Sequence, residues 1–247
     1  VFNPQTGEVL WEENSHETRS IASLTKLMTA LTFVADDPDL DQRITITRAD
    51  TLRASVTHLK TGDQVSWGDL LHLTLIASDN SAARALARTA EGGTSAFVSR
   101  MNEMAAQLGL TNTHYFDPSG LVATNVSSAY DMSHLIAFAA ADPRLGPIMR
   151  TAEYVVKTPK RLIPIHSTNK LLATDIDTEV LATAAMDVGV SADGRIHDIA
   201  VDRYGLEPGD LIFDAIEDVH VDGLLARCFR LNSQCSEHGR RKFSAGI

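Results

Sequence analysis

Apolar residues recur at helical spacing through much of the first half of this chain. After Ser23 come Leu24, Leu27, Met28, Ala30, Leu31 and Val34, a stripe that predicts a largely buried helix starting at Ser23 and ending near Asp36-Asp37-Pro38. A second run, Leu70, Leu71, Leu73, Leu75 and Ile76, gives way to polar Ser78-Asp79-Asn80-Ser81 and then resumes with Ala82, Ala83 and Ala87. Two apolar helices therefore meet at a polar joint. Residues 94–108 carry Phe97, Val98, Met101, Met104 and Ala105 on one side of a further amphipathic helix, with Gly109 as a left-handed stop. Ser127-Ser128-Ala129-Tyr130-Asp131 is a cap-and-start signal for a helix running through Met132, Leu135 and Ile136 to about residue 140.

Elsewhere the pattern turns β-like. Residues 1–11 form two short extended runs about Asn3-Pro4-Gln5-Thr6-Gly7, which predicts a hairpin. Residues 42–65 mix β-branched Ile44, Thr45, Ile46 and Thr47 with turn residues, as short strands and surface loops do. Tyr154, Val155 and Val156, then Leu162, Ile163, Pro164 and Ile165, predict strands between 154 and 172. No internal repeat or low-complexity linker interrupts the chain.

Composition narrows the partners. The 247 residues are 44% hydrophobic and 22% charged, an ordinary globular balance. A net charge of -10 argues against nucleic-acid or anionic-membrane surfaces, which need clustered cations. No run reaches the roughly 18 apolar residues of a membrane-spanning helix, so membrane association is not visible, and Val1-Phe2 opens without a basic or apolar leader. Cys228 and Cys235 are read as ordinary thiols, and His58, His72 and His114 lack metal-ligand spacing, so neither metal nor cofactor is expected.

Ser23-Leu24-Thr25-Lys26 places a hydroxyl and an amine one helical turn apart on one face. A serine becomes nucleophilic when a neighbouring base takes its proton. A helix N-terminus adds amide donors and positive potential suited to an oxyanion, and burial there favours the neutral amine. About fifty residues on, Ser78, Asp79 and Asn80 offer small polar side chains that can donate to a substrate amide and to a lysine. S-x-x-K followed by S-D-N is a pairing found in class A β-lactamases and penicillin-binding proteins.

With these motifs the chain resembles the D-alanyl-D-alanine carboxypeptidase and endopeptidase family, the low-molecular-mass penicillin-binding proteins of peptidase family S11. Similar segments include Thr6-Gly7-Glu8-Val9-Leu10, Met101-Asn102, Leu108-Gly109-Leu110-Thr111-Asn112-Thr113, Phe116-Asp117-Pro118-Ser119-Gly120-Leu121 and Ser128-Ala129-Tyr130-Asp131-Met132. The resemblance implies an α+β fold of the β-lactamase/transpeptidase type, a five-stranded antiparallel sheet packed against a helical cluster, with the site in the cleft between them. It makes Ser23 the acylated nucleophile, Lys26 its base, Ser78 a proton relay, and Asn80 the holder of substrate amide and lysine. The Ser23 amide would be half the oxyanion hole. It further implies a periplasmic or otherwise extracytoplasmic enzyme acting on peptidoglycan stem peptides, with β-lactams as inhibitors. Ser-Asp-Asn, where many carboxypeptidases have Ser-Gly-Asn, leans toward the endopeptidase branch.

The resemblance stops near residue 175. It divides the chain into the main part of a serine peptidase domain, 1–175, and a divergent C-terminal part, 176–247, that either completes the sheet or is a non-native tail. The family's third motif, a Lys-Thr-Gly strand that binds substrate carboxylate, has no counterpart after Ser78. Lys60-Thr61-Gly62 comes too early and reads as a loop, while residues 166–172 resemble the segment that precedes the motif; Arg195 is a candidate stand-in for the cation. Two other readings remain: a catalytically impaired scaffold that binds peptidoglycan or penicillin, and a class A-like β-lactamase, for which residues 117–125 lack the deacylating Glu.

Overall fold

A computed structural model describes residues 9–169, with 3, 6 and 7 and two two-residue strands, Asp214–Ala215 and Ala226–Arg227. Its centre is helix α1, Thr25–Val34, in which all ten residues are buried, Lys26 and three threonines included. The largely buried helix expected from the apolar stripe is enclosed all round, packing on α3 (Trp67–Ile76), α4 (Asn80–Thr89), α5 (Gly93–Gln107) and α6 (Ala129–Ala141). That enclosure obliges its polar side chains to find internal partners. These are what build the site.

Local chemistry sets the helix starts. Ser66 caps α3 by accepting from the Asp69 amide while Asp69 returns the bond to the Ser66 amide. Asp79 caps α4 through the Ala82 amide, and Ser128 caps α6 through that of Asp131. Gly109, at φ +72°, ends α5, with the Leu110 amide closing on Ala105 carbonyl at 2.9 Å. These boundaries follow the sequence reading closely.

One boundary does not. Helix α1 was expected to begin at Ser23, but Ala22–Leu24 form a 3-10 turn and the α-helix starts at Thr25. The cause lies upstream. Strand β1, Arg19–Ser20, pairs antiparallel with β4, Val126–Ser127, and the Ile21 amide bonds to the Asn125 carbonyl. Ala22, at φ +43°, then turns the chain sharply into the helix.

The remaining strands are also short. Strand β2, Arg43–Thr45, pairs with β3, Gln64–Ser66, on either side of the small helix α2, Arg48–Thr51. After α7, Leu145–Met149, the hairpin of β5, Glu153–Lys157, and β6, Leu162–His166, turns Val156, Ile163 and Ile165 inward against α3. Tyr154 stacks on His72 with ring centroids 3.8 Å apart and donates to Asp69 at 3.1 Å. Arg161, at the hairpin turn, ties it to the His58 carbonyl and to Asp63. The described residues thus show antiparallel strand pairs rather than the expected five-stranded sheet. Of the segment read as an opening hairpin, the Gly7 amide bonds to the Asn3 carbonyl at 2.8 Å and Val9 makes a single bridge, while residues 1, 2, 4, 5 and 8 lie outside the described residues.

Candidate active site

Ser23 and Lys26 meet at the entrance of α1. Ser23 is 9% exposed and Lys26 fully buried, with Nζ 2.5 Å from Ser23 Oγ. A shift from 3-10 turn to α-helix between them leaves this i, i+3 contact intact. Lys26 Nζ also donates to the Ser119 carbonyl at 2.7 Å. A buried amine in contact with both a hydroxyl and a carbonyl can shuttle the hydroxyl proton without bulk water.

The Ser119 carbonyl belongs to a loop that grips α1 at several points. The Pro118 carbonyl accepts from Thr29 Oγ1 at 2.7 Å, and Asn125 Nδ2 donates to Thr25 Oγ1 at 3.0 Å. Asp117 holds the loop in shape, its carboxylate accepting from the Ser119 and Gly120 amides, each at 3.0 Å, from the Ser119 hydroxyl, and from Asn125 Nδ2 at 2.9 Å. Gly120, at φ +81°, lies so close to the Ala22–Ser23 backbone that a Cβ there would be 1.9 Å from Ala22 O. None of this was foreseen beyond the likeness of the segment itself.

Helix α1 packs on α4, whose N-terminus carries the second motif. Ser78 is buried with φ +52°, Asp79 is the cap, and Asn80 is the first helical residue. Residues 54–56 line this joint. Asn80 Nδ2 donates to Ala54 O at 2.7 Å and to Ser55 Oγ at 3.2 Å, while its backbone amide bonds to Val56 O. Among the described residues Asn80 and Lys26 are not hydrogen-bonded to each other: the loop acceptors take Nδ2, and Oδ1 does not meet Lys26 Nζ. Asn80 Oδ1 is buried and accepts no hydrogen bond among the described residues. The Asp79 carboxylate, fully buried, also accepts from the His58 amide.

Lys60-Thr61-Gly62 forms an exposed turn into β3, with Gly62 at φ +89° and Lys60 N donating to Asp63 Oδ2 at 2.8 Å. It is a loop, as its early position suggested. Beyond β6, the Thr168 amide bonds to Ile76 O at 3.1 Å, so the segment read as preceding the third motif reaches the joint that holds Ser78. Arg195, Cys228, Cys235 and the boundary between 175 and 176 lie outside the described residues. Among the described residues, no three His, Cys, Asp or Glu side chains converge as a metal site, and no helix is long and apolar enough to cross a membrane.

This arrangement has close counterparts among solved structures. The Streptomyces K15 DD-transpeptidase is similar with a TM-score of 0.65 at 28% identity, covering 70% of this chain and 73% of that one. A Mycobacterium tuberculosis D-alanyl-D-alanine carboxypeptidase gives 0.68 at 28% identity, covering 72% and 69%. The fold is therefore α+β of the β-lactamase/transpeptidase type. Residues 1–184 match the D-alanyl-D-alanine carboxypeptidase family, peptidase S11, and the chain belongs to it. A D-alanyl-D-alanine endopeptidase of Pseudomonas aeruginosa is 36% identical over 176 residues, 70% of this chain. Its Escherichia coli namesake is 32% identical over 179 residues, 71% of this chain. The matches span 57% and 58% of those two relatives' lengths.

Proposed function

We propose that this chain forms the acyl-transfer core of a serine D-Ala-D-Ala peptidase acting outside the cytoplasm on peptidoglycan stem peptides. The observation that carries the reading is the buried Lys26 Nζ at 2.5 Å from Ser23 Oγ, in a member of this family. Lys26 takes the Ser23 proton as Oγ bonds to the carbonyl carbon of the penultimate D-alanine. The tetrahedral oxyanion is stabilised by the Ser23 amide. Collapse breaks the carbon–nitrogen bond, and the departing amine regains a proton by way of Ser78. Water then repeats the sequence on the ester and frees Ser23. Asn80 Oδ1, buried and lacking a partner among the described residues, accepts a substrate N–H. A β-lactam follows the first half of this path and stays on Ser23.

Within the family, Ser78-Asp79-Asn80 and the two endopeptidase relatives favour cleavage of cross-links over trimming of stem ends. The absence of a Lys-Thr-Gly sequence after Ser78 favours one rival, a scaffold that binds without efficient turnover. Losing one oxyanion donor costs roughly 100- to 1000-fold in rate. The test presents purified protein with a cross-linked muropeptide dimer and with a pentapeptide stem. Monomer release from the dimer supports endopeptidase action and free D-alanine from the stem supports carboxypeptidase action; neither product, from folded protein, sinks the peptidase reading.

A further inference from the structure

We propose that Asp117 is a positioning residue for Lys26, acting through the backbone of Ser119 to aim the amine at Ser23; this rests on the acyl-transfer reading above. A neutral amine has two N–H bonds and one lone pair. To accept the Ser23 proton, the lone pair must face Oγ, so an N–H must be held elsewhere. The Ser119 carbonyl, 2.7 Å from Nζ, is such a holder.

That carbonyl keeps its direction only if the peptide around it is fixed. Asp117 fixes it from both sides. One carboxylate oxygen takes the amide and the hydroxyl of Ser119, and the other takes the amide of Gly120 and the side chain of Asn125. A carboxylate offers about four acceptor sites, and all four are used, three on this turn and one on Asn125. Asn125 extends the clamp by donating to Thr25 Oγ1, one residue before Lys26, so loop and helix share a rigid frame. Asp117 has no contact with Ser23 or Lys26 among these bonds, which makes its role positional rather than catalytic.

The full chain carrying Asp117→Ala or Asp117→Asn would be mixed rapidly with a fluorescent penicillin, so that saturation separates the binding constant from the acylation rate constant. Misaiming a reacting group by about 1 Å can cost 100-fold. The expected result is acylation slowed about 10- to 100-fold in the alanine variant and less in the nearly isosteric asparagine variant, with binding within about threefold of wild type. Acylation within about threefold of wild type in both variants, or binding weakened as much as acylation, would overturn the proposal. A Ser23→Ala protein that still acylates would instead remove the underlying reading of Ser23.

Discussion

Replacing Gly120 by alanine tests how tightly the loop is set against Ser23. The new Cβ would lie 1.9 Å from Ala22 O, 2.4 Å from Ala22 C and 3.0 Å from Ser23 N. Ordinary contact begins at 3.4 Å, so one backbone would have to retreat by about 1.5 Å. No side chain can yield instead, because every opposing atom is main chain. Overpacking of this kind costs about 1–3 kcal/mol, and the left-handed φ of +81° adds about 1 kcal/mol. Displacing Ser23 on that scale predicts a loss of about 100-fold in acylation. Gly109 supplies the control: its φ is +72°, yet nothing lies within 4 Å of its Cβ position. Gly109→Ala should cost about 1 kcal/mol, a few degrees of melting temperature, with acylation unchanged. Labelling time courses with a fluorescent penicillin, beside melting curves for both variants, make the comparison. Gly120→Ala protein that labels as fast as Gly109→Ala would refute the close-packing argument.

Two further predictions concern the scaffold. Asp79→Ala removes the α4 cap and the acceptor of the His58 amide from a fully buried position; the expected loss is about 3 kcal/mol, or about 10 °C by calorimetry, and a drop under about 2 °C would contradict it. Burial holds the pKa of His72 below its ordinary value, although the Gly68 carbonyl and Asp69 pull the other way. The folded state therefore keeps His72 neutral while the unfolded chain takes up a proton below about pH 6.5, so its contribution is full above that pH and declines below it. His72→Phe, which keeps a ring against Tyr154, should flatten the fall in melting temperature between about pH 7 and pH 5; an unchanged slope would count against this.

The helices and both motifs were legible because each is carried by side-chain type at fixed spacing. Leu24 to Val34 announced α1, and Ser78 to Ser81 announced the break between α3 and α4. Lys26 beside Ser23 followed from three residues of separation alone. What escaped the sequence runs through the backbone. The carbonyls of Ser119 and Pro118 serve Lys26 and Thr29 across 93 and 89 residues, and no residue type marks a carbonyl for that task. Ala54 and Val56 likewise serve Asn80 through main-chain oxygens. The two-residue pairing of β1 with β4 is too short to leave an alternating pattern, yet it displaced the start of α1 from Ser23 to Thr25. Gly120 and Asn125 were visible as residues, but their purpose appears only once the loop is folded onto the helix.

If Lys26 activates Ser23 for acyl transfer, a covalent adduct forms on Ser23. Intact-mass spectrometry after incubation with benzylpenicillin, followed by peptide mapping, tests it directly. One penicilloyl adduct per chain is expected on the peptide containing Ser23, lost in Ser23→Ala and strongly reduced in Lys26→Ala. Folded wild-type protein that stays unmodified, or an adduct mapped to any other residue, would contradict it.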